Sequence, residues 1–381
     1  MINSQGNDIG ATRKSYPLRV AYDAKTFVES TREVGKGSYL FALLGDFGHV
    51  FTGIAPHGAV DVDLPLLQRG LPRYLLWQQT WLPAALRRLR PDIFVASNNT
   101  APLFIPRKTS LIAVVYDLIM LEPFAPKNVA DRLRGKYRAW LLVQTIRRST
   151  LIITVSRFTE AAINERFPGK CLHVIPATIR RSWYVRRAAL RLSQRDPYIL
   201  IVTANMPHKN VPLALEAYAA FRFRARDDRN LVKLRVVGMS RSIALVLKIA
   251  EKLGISDDVI VEPFLSEADL QELYRRALCV FVPSRMEGFG IPLLEAMASG
   301  TPAVCSNTWS LPEIGGTAPL YVDPTKTEEM AEALHSVCFD AALWKQLSMD
   351  GLAQAELFHP DVIQERVRAF WDCLPASIEP K

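Results

Sequence analysis

Two glutamates, Glu287 and Glu295, stand in the stretch VPSRMEGFGIPLLEAMASGTP, Val282 to Pro302. Between them lie Gly288, Phe289, Gly290, Ile291, Pro292, Leu293 and Leu294. An apolar run, Cys279 to Val282, precedes the glutamates and predicts a buried strand ending at Pro283. Pro292 opens a helical pattern, LLEAMAS, that stops at Gly300. Proline suits the first helical turn, where its missing N–H would be orphaned, and glycine suits the residue just past the end. The two glycines let a ligand approach the backbone. The N–H groups around Gly290 to Leu294 should point outward at the positive end of the helix. The chemistry predicted is anion binding at the carboxyl end of a strand, where open α/β sheets hold their ligands. Glu287 and Glu295 add two acceptors at one helix mouth, suited to hydroxyls flanking a bound phosphate.

The elements that must position this mouth alternate along the chain. Strands are expected at Leu18 to Tyr22, Asp92 to Ala96, Leu111 to Val115, Leu151 to Val155 and Leu172 to Pro176. Others are expected at Tyr198 to Thr203, Leu234 to Val237 and Val259 to Glu262, with helical patterns between them. A chain of 381 residues suits two domains of about 150–200 residues each. We place the first at 1–190, with Arg180 to Gln194 as an irregular connection, and the second at 191–356. A last amphipathic helix within 357–381 is expected to cross back to the first domain. Residues 1–16 are polar and expected to be disordered. Two doubly wound α/β domains are the predicted fold class. A second glycine turn, Gly35-Lys36-Gly37, follows the first strand and precedes a helix from about Ser38. It could hold phosphate or be an ordinary turn.

Residues 1–190 carry 27 Lys and Arg against 13 Asp and Glu, a net +14, whereas the remainder carries −5. The first half therefore faces something anionic: nucleic acid, membrane phospholipid or a diphosphate-linked acceptor. Two predicted helices, Arg69 to Arg90 with Trp77 and Trp81, and Arg132 to Arg148 with Trp140, set aromatics beside arginines. That composition suits an anionic membrane surface. It also suits a core face of Leu and Trp with Arg in water. No apolar run approaches the ~18 residues needed to span a bilayer. MINSQGNDIGATRKS lacks a secretory h-region, so a cytoplasmic location is expected, with the first half peripheral on the inner membrane face. The five cysteines are scattered without a CxxC pair, which predicts free thiols. Asp61-Val62-Asp63 lacks a preceding strand, and no metal or other cofactor is expected.

The setting PSRMEGFGIPLLEAMASGTPAV, with seven residues between its glutamates, resembles the signature of the retaining glycosyltransferases of family 4. SNTWSLPEIGG, LYVDPTKTEEMAEAL and LIITVSRFTEAAINERFP are also similar to that family. The resemblance implies the GT-B architecture, two facing Rossmann-like domains with a nucleotide sugar in the cleft. It implies transfer of a mannose-, rhamnose- or glucose-type hexose from a nucleotide-diphosphate donor to a glycan acceptor, lipid-linked and destined for bacterial surface polysaccharide. By the same resemblance Lys209 binds the donor diphosphate, with His208 where a second basic residue is expected. Glu287 then holds sugar hydroxyls or acts as a nucleophile, and Glu295 accepts from the ribose hydroxyls. The donor site is completed by Gly288, Phe289, Gly290, Ile291 and Leu294, and Gly35 and Gly37 face the diphosphate or the acceptor. The family commonly ends its third first-domain strand in His-Asp. Here the pair is Tyr116-Asp117. Tyrosine cannot titrate near neutral pH, so catalysis at 116 is in doubt. Asp117 is expected to orient the acceptor or its loop, or to serve only as a strand-end turn residue. Two alternatives are a sugar-nucleotide epimerase of the same fold and a non-enzymatic nucleic-acid binder. The Glu-x7-Glu stretch argues against the first, and the absence of an RNA-binding signature argues against the second.

Overall fold

The computed structural model describes residues 17–25, 39–40, 42–44, 49–55, 66–68, 74–123, 128–184, 190–204, 206–225, 232–239 and 243–374. Gly35, Gly37, Asp61, Asp63 and the 1–16 segment, all singled out above, lie outside these residues.

The first sheet has seven parallel strands in the order β3-β2-β1-β4-β5-β6-β7. They are β1 (Arg19–Asp23), β2 (Val50–Ala55), β3 (Leu66–Gln68), β4 (Ile93–Ala96), β5 (Ser110–Val115), β6 (Leu151–Thr154) and β7 (Leu172–Val174). The second has six parallel strands in the order β10-β9-β8-β11-β12-β13. These are β8 (Asp196–Val202), β9 (Lys233–Val237), β10 (Val259–Glu262), β11 (Ala277–Val282), β12 (Ala303–Ser306) and β13 (Leu320–Val322). Every residue of β4 and β11 is buried. Both faces of each sheet are covered by helices, so the strands read as continuous apolar runs. Strand order reverses between β1 and β4 in one sheet and between β8 and β11 in the other, and each reversal opens a crevice at the strands' carboxyl ends.

Helix α1 (Tyr74–Leu89) and helix α2 (Val129–Arg148) flank the first sheet. The α2 pattern begins earlier than its apolar periodicity predicts, because the Asn128 side chain caps it by accepting from Asp131 N–H. Trp77 is 1% exposed and packs in the core with Phe94 and Leu86, so it takes no part in any surface. Trp81 and Trp140 are 44% and 46% exposed. The connection at 180–194 is not wholly irregular: it makes 3-10 turns at Arg181–Tyr184 and Leu192–Gln194, and Trp183 is buried against Tyr274. The other helices are α3 (Arg157–Arg166), α4 (Val211–Arg224), α5 (Ile243–Lys252), α6 (Glu267–Arg276), α7 (Ile291–Ala298), α8 (Leu311–Gly315), α9 (Thr327–Phe339), α10 (Ala341–Glu356) and α11 (Pro360–Asp372). In α11, Trp371 donates from Nε1 to Leu43 O at 2.9 Å and stacks edge-on to Phe51. Phe370 meets His173. The last helix thus closes over the first sheet. All five cysteines are free, with Cys171 and Cys373 exposed.

Candidate active site

The crevice between β8 and β11 gathers the charged pair. After β8 the chain makes a single turn, Pro207–Lys209, and then Asn210 takes a left-handed conformation, φ 60°. Asn tolerates that region better than most residues. Its buried amide donates to Pro283 O at 3.1 Å and to Pro324 O at 2.8 Å, tying the ends of three strands together. Arg285 N–H donates to His208 O. The turn is therefore fixed from two sides, and Lys209 Nζ lies 2.7 Å from Glu287 Oε1. The two side chains are 19% and 10% exposed. An ammonium has three donors, so Lys209 keeps two beyond this bond. Burial, reinforced by Lys209, holds the His208 imidazole below its ordinary value. The charged form of His208 is therefore disfavoured in this turn.

The loop after Glu287 is held just as closely. The buried Ser310 hydroxyl shares its proton between Glu287 O and Phe289 O, at 2.8 and 3.1 Å. Gly290 has φ 106° and caps α7 in a conformation that side chains rarely adopt. Its carbonyl accepts from Leu293 and Leu294 N–H. This narrows the expected anion cradle: Leu293 and Leu294 spend their N–H groups inside the helix, and Pro292, as the sequence already says, has none. The donors left to meet an anion are those of Gly288, Phe289, Gly290 and Ile291. The Phe289 ring and the Leu294 side chain are buried, Phe289 edge-on to Phe358, so they serve the core and only their backbone borders the mouth.

Glu295 is also buried, in α7, facing Tyr274 of α6. Burial pushes its carboxyl up to about 8, against the smaller effect of the Tyr274 hydroxyl. That hydroxyl closes no hydrogen bond of ordinary geometry. A carboxyl raised in the folded state stabilises the fold below its unfolded value of 4.5, and the contribution is lost as pH rises through 8. Between pH 5 and pH 9 the linkage amounts to about 4 kcal/mol, so the Tm of the wild type is expected to fall by about 8–16 °C more than that of Glu295→Gln, at roughly 2–4 °C per kcal/mol. Parallel melting curves for the two would sink this assignment.

The first half meets this loop at Gly288. A Cβ there would lie 2.2 Å from Tyr116 O and 2.9 Å from Asp117 Cβ. The Ser156 hydroxyl, at the start of α3, donates to Gly288 O at 2.9 Å. Asp117 thus stands beside the Glu287 loop. It also makes the strand-end turn, accepting from Ile119 N–H at 3.0 Å. The Tyr116 ring is buried, edge-on to Tyr39, and its N–H donates to Asn99 Oδ1. It stands in the core rather than in an open cleft. Sequence reasoning missed Asn210, Ser156, Ser310 and Glu313. It also missed the polar cluster at the other reversal, where buried Asp23 accepts from Tyr74 Oη at 2.6 Å and Ser97 donates to Asp23 O.

Residues 42–183 match the family described as "Glycosyltransferase Family 4", and residues 185–349 match "Glycosyl transferases group 1". The chain belongs to the GT-B glycosyltransferases of the family 4 type. Among relatives of this glycosyltransferase is "O-antigen chain mannosyltransferase B" of Escherichia coli, 28% identical over 292 residues, or 74% of this chain and 73% of the relative. Two solved structures share the fold. One is WaaG, a glycosyltransferase involved in lipopolysaccharide biosynthesis, with TM-score 0.71, 18% identity, and coverage of 92% and 99%. The other is Anabaena Alr3699/HepE in complex with UDP and glucose, with TM-score 0.70, 15% identity, and coverage of 94% and 100%. The transferase assignment replaces the epimerase and nucleic-acid alternatives.

Proposed function

We propose that the protein transfers a hexosyl group, mannosyl first among candidates, from a nucleoside-diphosphate sugar to a glycan hydroxyl, with retention and without a metal. The observation that carries this is the Lys209–Glu287 pair beside the N–H groups of Gly288 to Ile291. As the bond from C1 to the phosphate oxygen breaks, two Lys209 donors and the loop N–H groups meet the charge of the departing diphosphate. The acceptor oxygen bonds to C1 on the same face, and its proton passes to the leaving phosphate. Glu287 holds sugar hydroxyls, since its carboxylate is already engaged by Lys209. Ribose hydroxyls donate to Glu295. The test is a mass-spectrometric assay against GDP-, UDP- and dTDP-sugars in excess EDTA. Transfer from one donor, with retained configuration by NMR, is the expected result. Loss of activity in EDTA with rescue by manganese would overturn the metal-free reading.

The O-antigen in the name of the E. coli relative supports a surface polysaccharide as the product; our reading adds a lipid-linked acceptor at the inner membrane face. The first half has a surface to match. No residue of α2 from 129 to 140 is buried. Val129, Leu133 and Trp140 form an exposed apolar stripe among Arg132, Arg134, Lys136 and Arg138. Because α2 follows β5, its first turns lie toward the carboxyl ends of the first sheet's strands. Among the described residues no helix is long and apolar enough to cross a membrane. Each basic residue near an anionic surface contributes about 1 kcal/mol. We expect flotation with phosphatidylglycerol vesicles at low salt and release at high salt. Serine at positions 132, 134, 136 and 138 should reduce flotation and leave diphosphate binding unchanged. Indifference of the wild type to anionic vesicles would remove the membrane from this reading.

A further inference from the structure

Ser310-Leu311-Pro312-Glu313 has the spacing of a capping box, in which Ser and a Glu three residues on satisfy N–H groups of their own helix. Neither side chain does so here. Ser310 makes no cap bond to α8 and instead holds the carbonyls on either side of Gly288. Glu313 reaches across to the other half of the molecule. Its Oε1 accepts from Arg157 N–H at 2.8 Å and its Oε2 from Phe158 N–H at 2.9 Å. These are the first two N–H groups of α3, and Ser156 accepts the third, from Thr159. A carboxylate at that end also meets the positive pole of the helix. Beside it Phe158 packs on Trp309, ring centroids 5.2 Å apart. The contacts close a ring: α3 to Glu313, through Ser310 to the Glu287 loop, and from Gly288 O back to Ser156.

We propose that Glu313 is a positioning residue, which docks the first half of the chain onto the loop carrying Glu287 and so fixes that carboxylate opposite Lys209 for transfer. The proposal rests on reading Glu287 and Lys209 as the donor site. The loop has glycines at 288 and 290, and its three carbonyls from 287 to 289 are each held by a serine. One serine starts the helix that Glu313 caps, and the other stands three residues before Glu313 itself. Releasing Glu313 leaves two α3 N–H groups open and frees both serines to move. A small displacement of a reacting group is enough to cost a large factor in rate.

The test uses the full chain and the donor turned over in the panel. Glu313→Ala should lower kcat on the order of tenfold to a hundredfold. Donor KM, and GDP and UDP affinity by calorimetry, should stay within about threefold, a split that general unfolding would not produce. Glu313→Gln keeps one acceptor and should recover part of kcat. Glu287→Ala combined with Glu313→Ala should be no slower than Glu287→Ala alone, because the two act as one unit. Spin labels on Cys171 and Leu245→Cys, in a Cys373→Ser background, should give a narrow distance distribution that Glu313→Ala broadens. An unchanged kcat, additive losses in the double variant, loss of diphosphate affinity together with kcat, or an unchanged distance distribution would each overturn the proposal. Full turnover by Glu287→Ala would instead overturn the donor-site reading, whatever Glu313→Ala does.

Discussion

Lys209→Met is expected to lower kcat/KM by about 10²–10³-fold, the usual loss when one donor to a developing negative charge is removed. Among the described residues of the turn after β8, its ammonium is the main cation offered to the diphosphate, because burial and Lys209 disfavour the charged form of His208. The same substitution should also destabilise the protein. Glu287 would be left with little exposure and without the partner now 2.7 Å away. Removing one member of a buried pair costs about 3–5 kcal/mol, and this partly exposed pair belongs near the lower end. The structural and chemical effects can be separated. Lys209→Met with Glu287→Gln removes both charges and should recover most of the lost Tm while leaving turnover as low as in Lys209→Met. Steady-state kinetics and melting curves on the three variants decide the matter. More than a tenth of wild-type kcat/KM in Lys209→Met would mean that the backbone N–H groups carry the leaving charge alone.

The parts of this site legible in the sequence are those built by local geometry. Gly290 and Pro292 announce a strand–turn–helix because a left-handed residue and a missing N–H are tolerated only at particular places in it. β2 was not foreseen, since VFTGIA interrupts its apolar run with Thr and Gly, and its pairing with β1 supplies what periodicity does not. Trp77 and Trp81 lie one helical turn apart, and the composition around them gave no means to tell the core residue from the exposed one. Asn210 ahead of Val-Pro, and Ser310 three residues before Glu313, carried local signals of a turn and a cap. Their partners are tertiary. Ser156 meets Gly288 across 132 positions, and Arg157 meets Glu313 across 156. The capping-box spacing at 310–313 pointed to a helix start and to a bond that is not made, because stronger demands elsewhere took both side chains. Burial had the same effect on Glu295: its spacing from Glu287 predicted an acceptor, and only packing against Tyr274 reveals a carboxyl raised to about 8.

Gly288→Ala should lower kcat on the order of tenfold to a hundredfold while leaving GDP and UDP affinity within about threefold. The added methyl would stand 2.2 Å from Tyr116 O and 2.9 Å from Asp117 Cβ, closer than real Cβ atoms come to other atoms. Neither wall can easily yield. Tyr116 is fixed through its N–H on Asn99 Oδ1, and its carbonyl also accepts from Thr159 Oγ1. The Gly288 carbonyl is held by Ser156, and its neighbours' carbonyls by Ser310. Overpacking of this kind costs about 1–3 kcal/mol. The expected relief is a local parting of the two halves at this contact, with the buried cluster they share left in place. Alanine retains the N–H at 288, so the anion mouth on the second sheet should survive in the parted state. Gly169→Ala is the control: that glycine also has positive φ, 79°, but an added Cβ meets nothing within 4 Å. It should show only a modest Tm loss and normal turnover. If Gly288→Ala turns over like the wild type, contact at Gly288 is not needed for transfer. If it loses diphosphate affinity along with kcat, the residue acts within the nucleotide mouth itself, and the two halves need not meet there for the reaction to proceed.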